Sequence, residues 1–424
     1  MRTLMGMSLA AAVFALASQA IGATIRVPED HPTILAGMDA AAPGDTVLVG
    51  PGTWTEAETR IVWLAGIPWE VRSLCFAKSG TTLVSTHGRD ATVVDLQGAG
   101  FLSTGVFLGY LDDPVTIEGF TFTGRTSAIV VGACVESLSS GGTVVRNCRF
   151  EGNASPGGAV AAIETAGPAV VEGCEFIDND ASQGGLGVVY AVSTDLAVRG
   201  CLFERNDGVV IYTQVGFEND PGHTTIDDSV FRENRARCIV GFVRLMEVRE
   251  CLFERNSEGA IYSGSLDALV EFCTFAYDSI TPGGTGAGVN VGDYEAEIRH
   301  CTFVGCHGVG GVSVHPNAEA TVTSCVFAYS TGWEALVGSN VTSDCNVFWQ
   351  NAAGDYGNVV PGPNDLPADP EFCDLEKLDL TVRSTSPCAP ENSGPCGQIG
   401  AWGVGCGPVS VESKSWGSIK SLYR

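Results

Sequence analysis

Three consecutive stretches share one phase: Val145-Arg146-Asn147-Cys148-Arg149-Phe150-Glu151-Gly152-Asn153, then Val171-Glu172-Gly173-Cys174-Glu175-Phe176-Ile177-Asp178-Asn179, then Val198-Arg199-Gly200-Cys201-Leu202-Phe203-Glu204-Arg205-Asn206. Each reads aliphatic-x-x-Cys-x-Phe-x-x-Asn. The phase continues through Ile226, Ser229, Phe231 and Asn234, and through Val248, Cys251, Phe253 and Asn256. It recurs more loosely at Val270, Cys273 and Phe275, at Ile298, Cys301 and Phe303, and at Val322, Cys325 and Phe327. An earlier member stands at Ile117, Phe120 and Phe122, and a later one at Cys345, Phe348 and Asn351. Between positions 120 and 325 eight intervals give a unit of about 26 residues, the scale of a solenoid coil. A unit of that size cannot bury a core alone, whereas stacked units cover each other's apolar edges. The expectation is about nine coils, each adding one rung to a prism of three short strands. After the Asn, Gly-rich turns such as Gly157-Gly158-Ala159-Val160 and Glu258-Gly259-Ala260-Ile261 lead into a further apolar strand. Aliphatic and Cys stand three apart, which breaks strand alternation and marks a bend. Phe and Asn recur in every coil, so they read as interior stacking and turn-capping ladders, whereas a ligand site should occur once.

The charges test this register independently. The residue after each aliphatic reads Glu118, Arg146, Glu172, Arg199, Asp227, Arg249, Glu271, Arg299, and the sign alternates throughout. On strands stacked about 4.8 Å apart each charge would lie between two opposite ones, and a slipped coil would meet like charges. Such a column selects register more than it stabilises, because exposed pairs contribute about 0–1 kcal/mol each. A second column, Glu204, Arg232 and Glu254 followed by Arg205, Glu233 and Arg255, repeats the logic.

The chain has 424 residues, with 49 acidic against 23 basic, a net charge of -26 and 54 glycines. That charge excludes nucleic acid and anionic membranes as partners unless a local basic patch exists. An uncharged glycan, or an anionic one bridged by a hard cation, is compatible with it. Residues 1–23 carry Arg2, an apolar run from Leu4 to Ala17 and small residues at Ser18, Ala20, Gly22 and Ala23, the pattern of a cleaved signal peptide. No later segment is suited to span a bilayer. The mature chain is therefore expected to be secreted or held at the cell surface. Residues 24–408 are read as one domain and 409–424 as a tail. Lys414, Trp416, Lys420 and Arg424 in that tail fit a sorting or attachment signal read by a partner, or a disordered end.

The Cys-x-Phe-x-x-Asn and Gly-Gly-Ala-Val pieces resemble the FxxN and GGA[ILV] repeats of chlamydial polymorphic outer membrane proteins, and the coil as a whole resembles the pectin lyase-like superfold. The opening, Thr24-Ile25-Arg26-Val27-Pro28 through Ala40-Ala41-Ala42-Pro43-Gly44-Asp45-Thr46-Val47 to Pro51-Gly52-Thr53-Trp54, resembles the N-terminal cap of bacterial right-handed β-helix proteins. There an amphipathic helix plugs the first coil; Pro32-Thr33 suit its start and Pro43-Gly44 its stop. The resemblance covers about residues 24–408. It implies an all-β fold, a single-stranded right-handed parallel β-helix with an N-terminal capping helix and a Cys-rich C-terminal end. It does not extend to activity. The QDT and DFIFG stretches of pectinesterases are missing, and the polygalacturonase set appears only as fragments at Asn219-Asp220, Asp227-Asp228 and Cys306-His307-Gly308.

Candidate sites lie where the repeat is interrupted. Trp54, Trp63 and Trp69, beside Glu56, Glu58, Arg60, Glu70 and Arg72, suit stacking on sugar rings or covering of the cap. Glu218, Asp220, His223 and Asp228 form the densest carboxylate group, able to serve as general acid and base or, through Asp220 and Asp228, to hold Ca²⁺ as in many β-helix lyases. His307 also suits a turn. The column Cys148, Cys174, Cys201, Cys251, Cys273, Cys301 and Cys325 reads as buried thiols, since parallel side chains about 4.8 Å apart do not converge for disulfides or zinc. Cys373, Cys388, Cys396 and Cys406 are expected to form two disulfides closing the far end, in one of three pairings. The functional expectation is an extracellular polysaccharide-binding or adhesin-like module needing no cofactor. The alternative is a polysaccharide lyase or glycoside hydrolase acting with Ca²⁺.

Overall fold

A computed structural model describes residues 22–64, 66–96, 103–126, 133–155, 162–183, 186–215, 222–280 and 286–406. Three sheets of 13 strands each run the length of the molecule, and nearly all their pairings are parallel. One coil illustrates the course: Thr143–Arg146 lies in the first sheet, Arg149–Glu151 in the second and Ile163–Thr165 in the third. The chain then returns to the first sheet at Ala169–Glu172, directly beside its predecessor. The coil count exceeds the nine expected because the Cys-Phe signature marks only the middle of the solenoid. The first coils fill the same interior with Val47, Leu83 and Val94, which leave no such mark.

The expected bend between the first two sheets is a left-handed residue. Asn147, Asp228, Glu250, Phe272, His300 and Ser324 hold it with φ between 47° and 54°, and glycines hold it at Gly173 and Gly200. One such residue turns the chain and returns the next side chain, usually Cys, to the interior. The seven column cysteines are buried and free. They donate weak hydrogen bonds to carbonyls of the coil before, as Cys174 Sγ does to Val145 O at 3.5 Å.

The interior ladders follow the sequence. Rings from Phe122 through Phe150, Phe176, Phe203, Phe231, Phe253, Phe275, Phe303 and Phe327 to Phe348 stack with centroids 4.6–5.1 Å apart and planes within 10°. Beside them, Asn153 Nδ2 donates to Phe122 O at 3.0 Å and to Asn179 Oδ1 at 3.1 Å. Asn179, Asn206 and Asn234 repeat this pattern, and Asn256 passes its bond to Asp278 Oδ1. Each amide satisfies a buried carbonyl whose exposure without a partner would cost about 1–3 kcal/mol.

The charge column also aligns: Arg146 pairs in register with Glu118 and Glu172, and the alternation continues to Arg299. Arg299 Nε lies 2.8 Å from Glu271 Oε1, and Arg146 Nε 3.1 Å from Glu172 Oε2.

At the N-terminal end the helix Ile34–Ala40 opens at Thr33, whose hydroxyl accepts from Ala36 N at 3.1 Å, and buries Ile34, Leu35 and Met38 over the first coil. Gly37 permits the approach, since a Cβ there would stand 2.7 Å from Val27 Cγ2. At the other end the disulfides join Cys345 to Cys396 and Cys373 to Cys406, while Cys388 is buried and free. The expected set thus needs one correction, Cys345 in place of Cys388. Cys345 sits one residue before the Cys-column position, at the left-handed corner (φ 59°), so it points outward; Asn346 takes the interior place. Cys388 instead packs with Val326, Val347, Val382 and Ile399. From Cys396 the chain lies across the second sheet, where Trp402 Nε1 donates to Thr274 Oγ1 at 2.8 Å.

Candidate functional site

The candidates from sequence are dispersed. Glu218 and Asp220 lie outside the described residues. His223 opens the first-sheet strand His223–Asp227, with Nε2 3.1 Å from Glu247 Oε2. Asp228 follows the far end of that strand at a corner, where burial and then Asp227 raise its carboxyl above the usual range. Five extended residues separate their Cα atoms by about 16 Å, so the two do not converge. Trp54 packs half-buried against the core. Trp63 and Trp69 stand 65% and 37% exposed on an antiparallel hairpin, Glu58–Leu64 with Ile67–Phe76, at the start of the third sheet. Trp63 opposes Pro68 and Trp69 opposes Val62, so the two indoles occupy opposite faces. Alternation places Trp63 on the face that Phe76 shares with the outer side of the sheet. Among the described residues no group of three or more His, Cys, Asp or Glu is arranged to hold a metal ion.

A different set of residues does converge, on the outer face of the third sheet. Its strands bury the aliphatics Val135, Ile163, Val189, Ile211, Ile239 and Ile261. The residue after each therefore points outward. Register joins these into one column: Phe107, Glu136, Glu164, Tyr190, Tyr212, Val240, Tyr262 and Asn290. A second outward column carries Val192, Gln214 and Phe242.

The middle of this face is an aromatic shelf. Tyr190 and Tyr212 stack at 5.7 Å, Tyr212 meets Phe242 edge-on at 6.2 Å, and Phe242 lies 5.6 Å from Tyr262. Gln214 ties the shelf together, donating from Nε2 to the Tyr190 hydroxyl at 2.5 Å and accepting from the Tyr212 hydroxyl at 3.2 Å. Glycines let two rings lie down on the sheet. A Cβ at Gly264 would stand 2.6 Å from Phe242 Cδ1, and one at Gly292 2.2 Å from the Tyr262 hydroxyl. The Arg237 guanidinium is 5.2 Å from the Tyr262 ring centre. From Glu136 to Tyr262 five strand spacings give a face about 24 Å long.

The shelf ends at a buried charged group. Glu136 is 5% exposed and Arg125 1%, while Glu164 is half-buried. Burial, reinforced by Glu164, pushes the Glu136 carboxyl up to about 8 against the pull of Arg125. Burial lowers the Arg125 pKa, and Cys134, Glu136 and Glu164 oppose that shift. Arg125 occupies the place that Asn holds in later coils, its backbone N–H donating to Asn153 Oδ1 at 3.1 Å. Elsewhere, a concavity of about 600 Å³ on the first sheet sets Asp267, Glu295 and Glu319 in register. It has no aromatic lining and collects only like charge at its centre.

The family described as right handed beta helix region matches residues 82–275. Over that stretch the chain is similar to this family, and its fold is a right-handed parallel β-helix. Among solved structures this β-helix resembles a PL6-family alginate lyase, with TM-score 0.52 and 13% identity over 93% of this chain and 60% of that one. The chain thus spans about three fifths of that protein's length. Other similar structures are the A-module of a mannuronan C-5 epimerase from Azotobacter vinelandii (TM-score 0.45, 18% identity, 78% of this chain, 92% of that one) and pectate lyase Pel9A (0.41, 14%, 87% and 90%). No curated protein matches the sequence. Among the described residues no helix is long and apolar enough to cross a membrane.

Proposed function

We propose that this β-helix is an exported or cell-surface module that binds a polysaccharide lengthwise along the outer face of its third sheet. The observation that carries the reading is the shelf of Tyr212, Phe242 and Tyr262, backed by the buried Tyr190, with two rings laid flat over glycine and the Gln214 amide joining the Tyr190 and Tyr212 hydroxyls. Flat aromatic faces stack on the apolar faces of sugar rings, and a repeating polymer suits a repeating platform. The net charge of -26 and the carboxylates at one end disfavour a polyanion, so an uncharged glycan is the expected ligand. Trp63, exposed on the hairpin at the start of the same sheet, would extend the platform. A fold shared with an alginate lyase agrees with a role on polysaccharide.

The test is retention of the full chain by a panel of neutral and uronate polysaccharides in affinity electrophoresis, with and without Ca²⁺. Expected is Ca²⁺-independent retention by a neutral polymer. It should weaken roughly tenfold in Tyr212→Ala, the loss of about 1–1.5 kcal/mol of stacking, and less in Trp63→Ala, with melting temperature unchanged. Retention by no polymer, or undiminished retention of Tyr212→Ala, would sink the proposal.

A further inference from the structure

Resting on that binding face, we propose that Glu136 and Glu164 are a hydrolytic pair that cleaves the bound glycan with retention of anomeric configuration. The two are direct register partners on neighbouring parallel strands, both on the outward column that continues into Tyr190 and Tyr212. Stacked equivalents lie about 4.8 Å apart, which fits the roughly 5–5.5 Å spacing of a retaining pair and falls short of the 6.5–9.5 Å that leaves room for an inverting water. Their surroundings differ, as the division of labour requires. Glu136 is nearly enclosed, and among the described residues no hydrogen bond holds its carboxyl group; Glu164 is half-buried and adjoins the tyrosines. Arg125 stands near both.

The chemistry balances as follows. Glu164 carboxylate attacks the anomeric carbon as the glycosidic C–O bond breaks, and the Glu136 proton goes to the departing oxygen. A glycosyl ester on Glu164 and a free hydroxyl end result. Water then attacks the anomeric carbon, its proton passes to Glu136, and the ester bond to Glu164 breaks, so one water is consumed per bond cleaved. The neighbour charge also cycles in the needed sense. Repulsion from Glu164 helps keep Glu136 protonated, and esterification removes that charge, releasing Glu136 to act as an acid in the first step and a base in the second.

The test incubates the full chain with each neutral polymer that it retains and reads new reducing ends and the anomer first released. It also exposes the protein to 2-deoxy-2-fluoro glycosyl fluorides of glucose, galactose, mannose and xylose. Expected are reducing ends of retained configuration and a glycosyl adduct on Glu164 by peptide mass spectrometry. Turnover should fall by about 100- to 10,000-fold in Glu136→Gln and Glu164→Gln, with glycan retention kept. Azide added to Glu164→Ala should restore cleavage as a glycosyl azide of inverted configuration, which a structural role for Glu164 cannot explain. Retention of a polymer without new reducing ends, inverted products, or full activity in Glu164→Gln overturns the pair while leaving the binding face standing. Retention of no polymer overturns both.

Discussion

Asp278→Asn should stabilise the protein at neutral pH. In the Asn ladder every amide nitrogen donates to a Phe carbonyl of the preceding coil, Asn256 to Phe231 O at 2.9 Å, and in the next coil Cys306 Sγ donates to Phe275 O at 3.7 Å. By the same geometry the second oxygen of Asp278 faces the carbonyl of Phe253. Its first oxygen already accepts from Asn256 N at 2.8 Å and Nδ2 at 2.9 Å. The second oxygen, buried and without a partner, can serve the column only if it carries a proton. Burial accordingly pushes the Asp278 carboxyl from the ordinary 3.8 up to about 8, against the pull of Asn256. The unfolded chain ionises near pH 4 and the folded chain does not. Folding therefore loses stability progressively as pH rises from about 4 to about 8, and the deficit is constant above that. Between pH 4 and 7 about three units at 1.36 kcal/mol each give a ceiling near 4 kcal/mol, so a gain of about 2–4 kcal/mol is expected for the variant at pH 7. The assay is urea unfolding of both proteins at pH 4, 7 and 9. The two curves should nearly coincide at pH 4 and separate by pH 7. An equal or lower stability of the variant at pH 7, or a difference that does not shrink toward pH 4, refutes the protonated-rung reasoning.

Gly264→Ala forces the Phe242 ring off the sheet, because its new Cβ would meet Cδ1 at 2.6 Å. Glycan retention should fall roughly tenfold in affinity electrophoresis while the melting temperature stays near that of the parent. Glu271→Arg replaces the partner of Arg299 at 2.8 Å and Arg249 at 3.7 Å with a third cation in line. A loss of about 1–2 kcal/mol is expected in chemical unfolding, partly recovered at high salt. Cys345→Ser should expose one alkylatable thiol at Cys396 under native, non-reducing conditions, whereas Cys388→Ser should leave both disulfides intact by peptide mapping. Alkylation of Cys373 or Cys406 in place of Cys396 would contradict the pairing.

Much of the interior was legible because it repeats. Phe150, Phe176 and Phe203 occupy one place in successive coils, and each coil must present the same volume and the same capping amide to its neighbours. The alternation from Glu118 to Arg299 was readable for the same reason, since it needs only equal spacing. The coil count was not, because Val94 takes the place of Phe in the interior column without its signature. Cys345 was misplaced by one residue, and one residue at a left-handed corner separates inside from outside.

The sequence by itself determined the solenoid, its axis of growth and the register of its charge columns, because those are properties of recurrence along the chain. Only the tertiary structure decided the outer face of the third sheet. Glu136, Glu164, Tyr190, Tyr212 and Tyr262 share no recurring identity and are separated by turns of unequal length, so nothing local relates them. They become neighbours when parallel pairing sets their strands side by side, about 4.8 Å apart. A core must be filled alike in every coil, whereas a binding face needs different side chains brought together once.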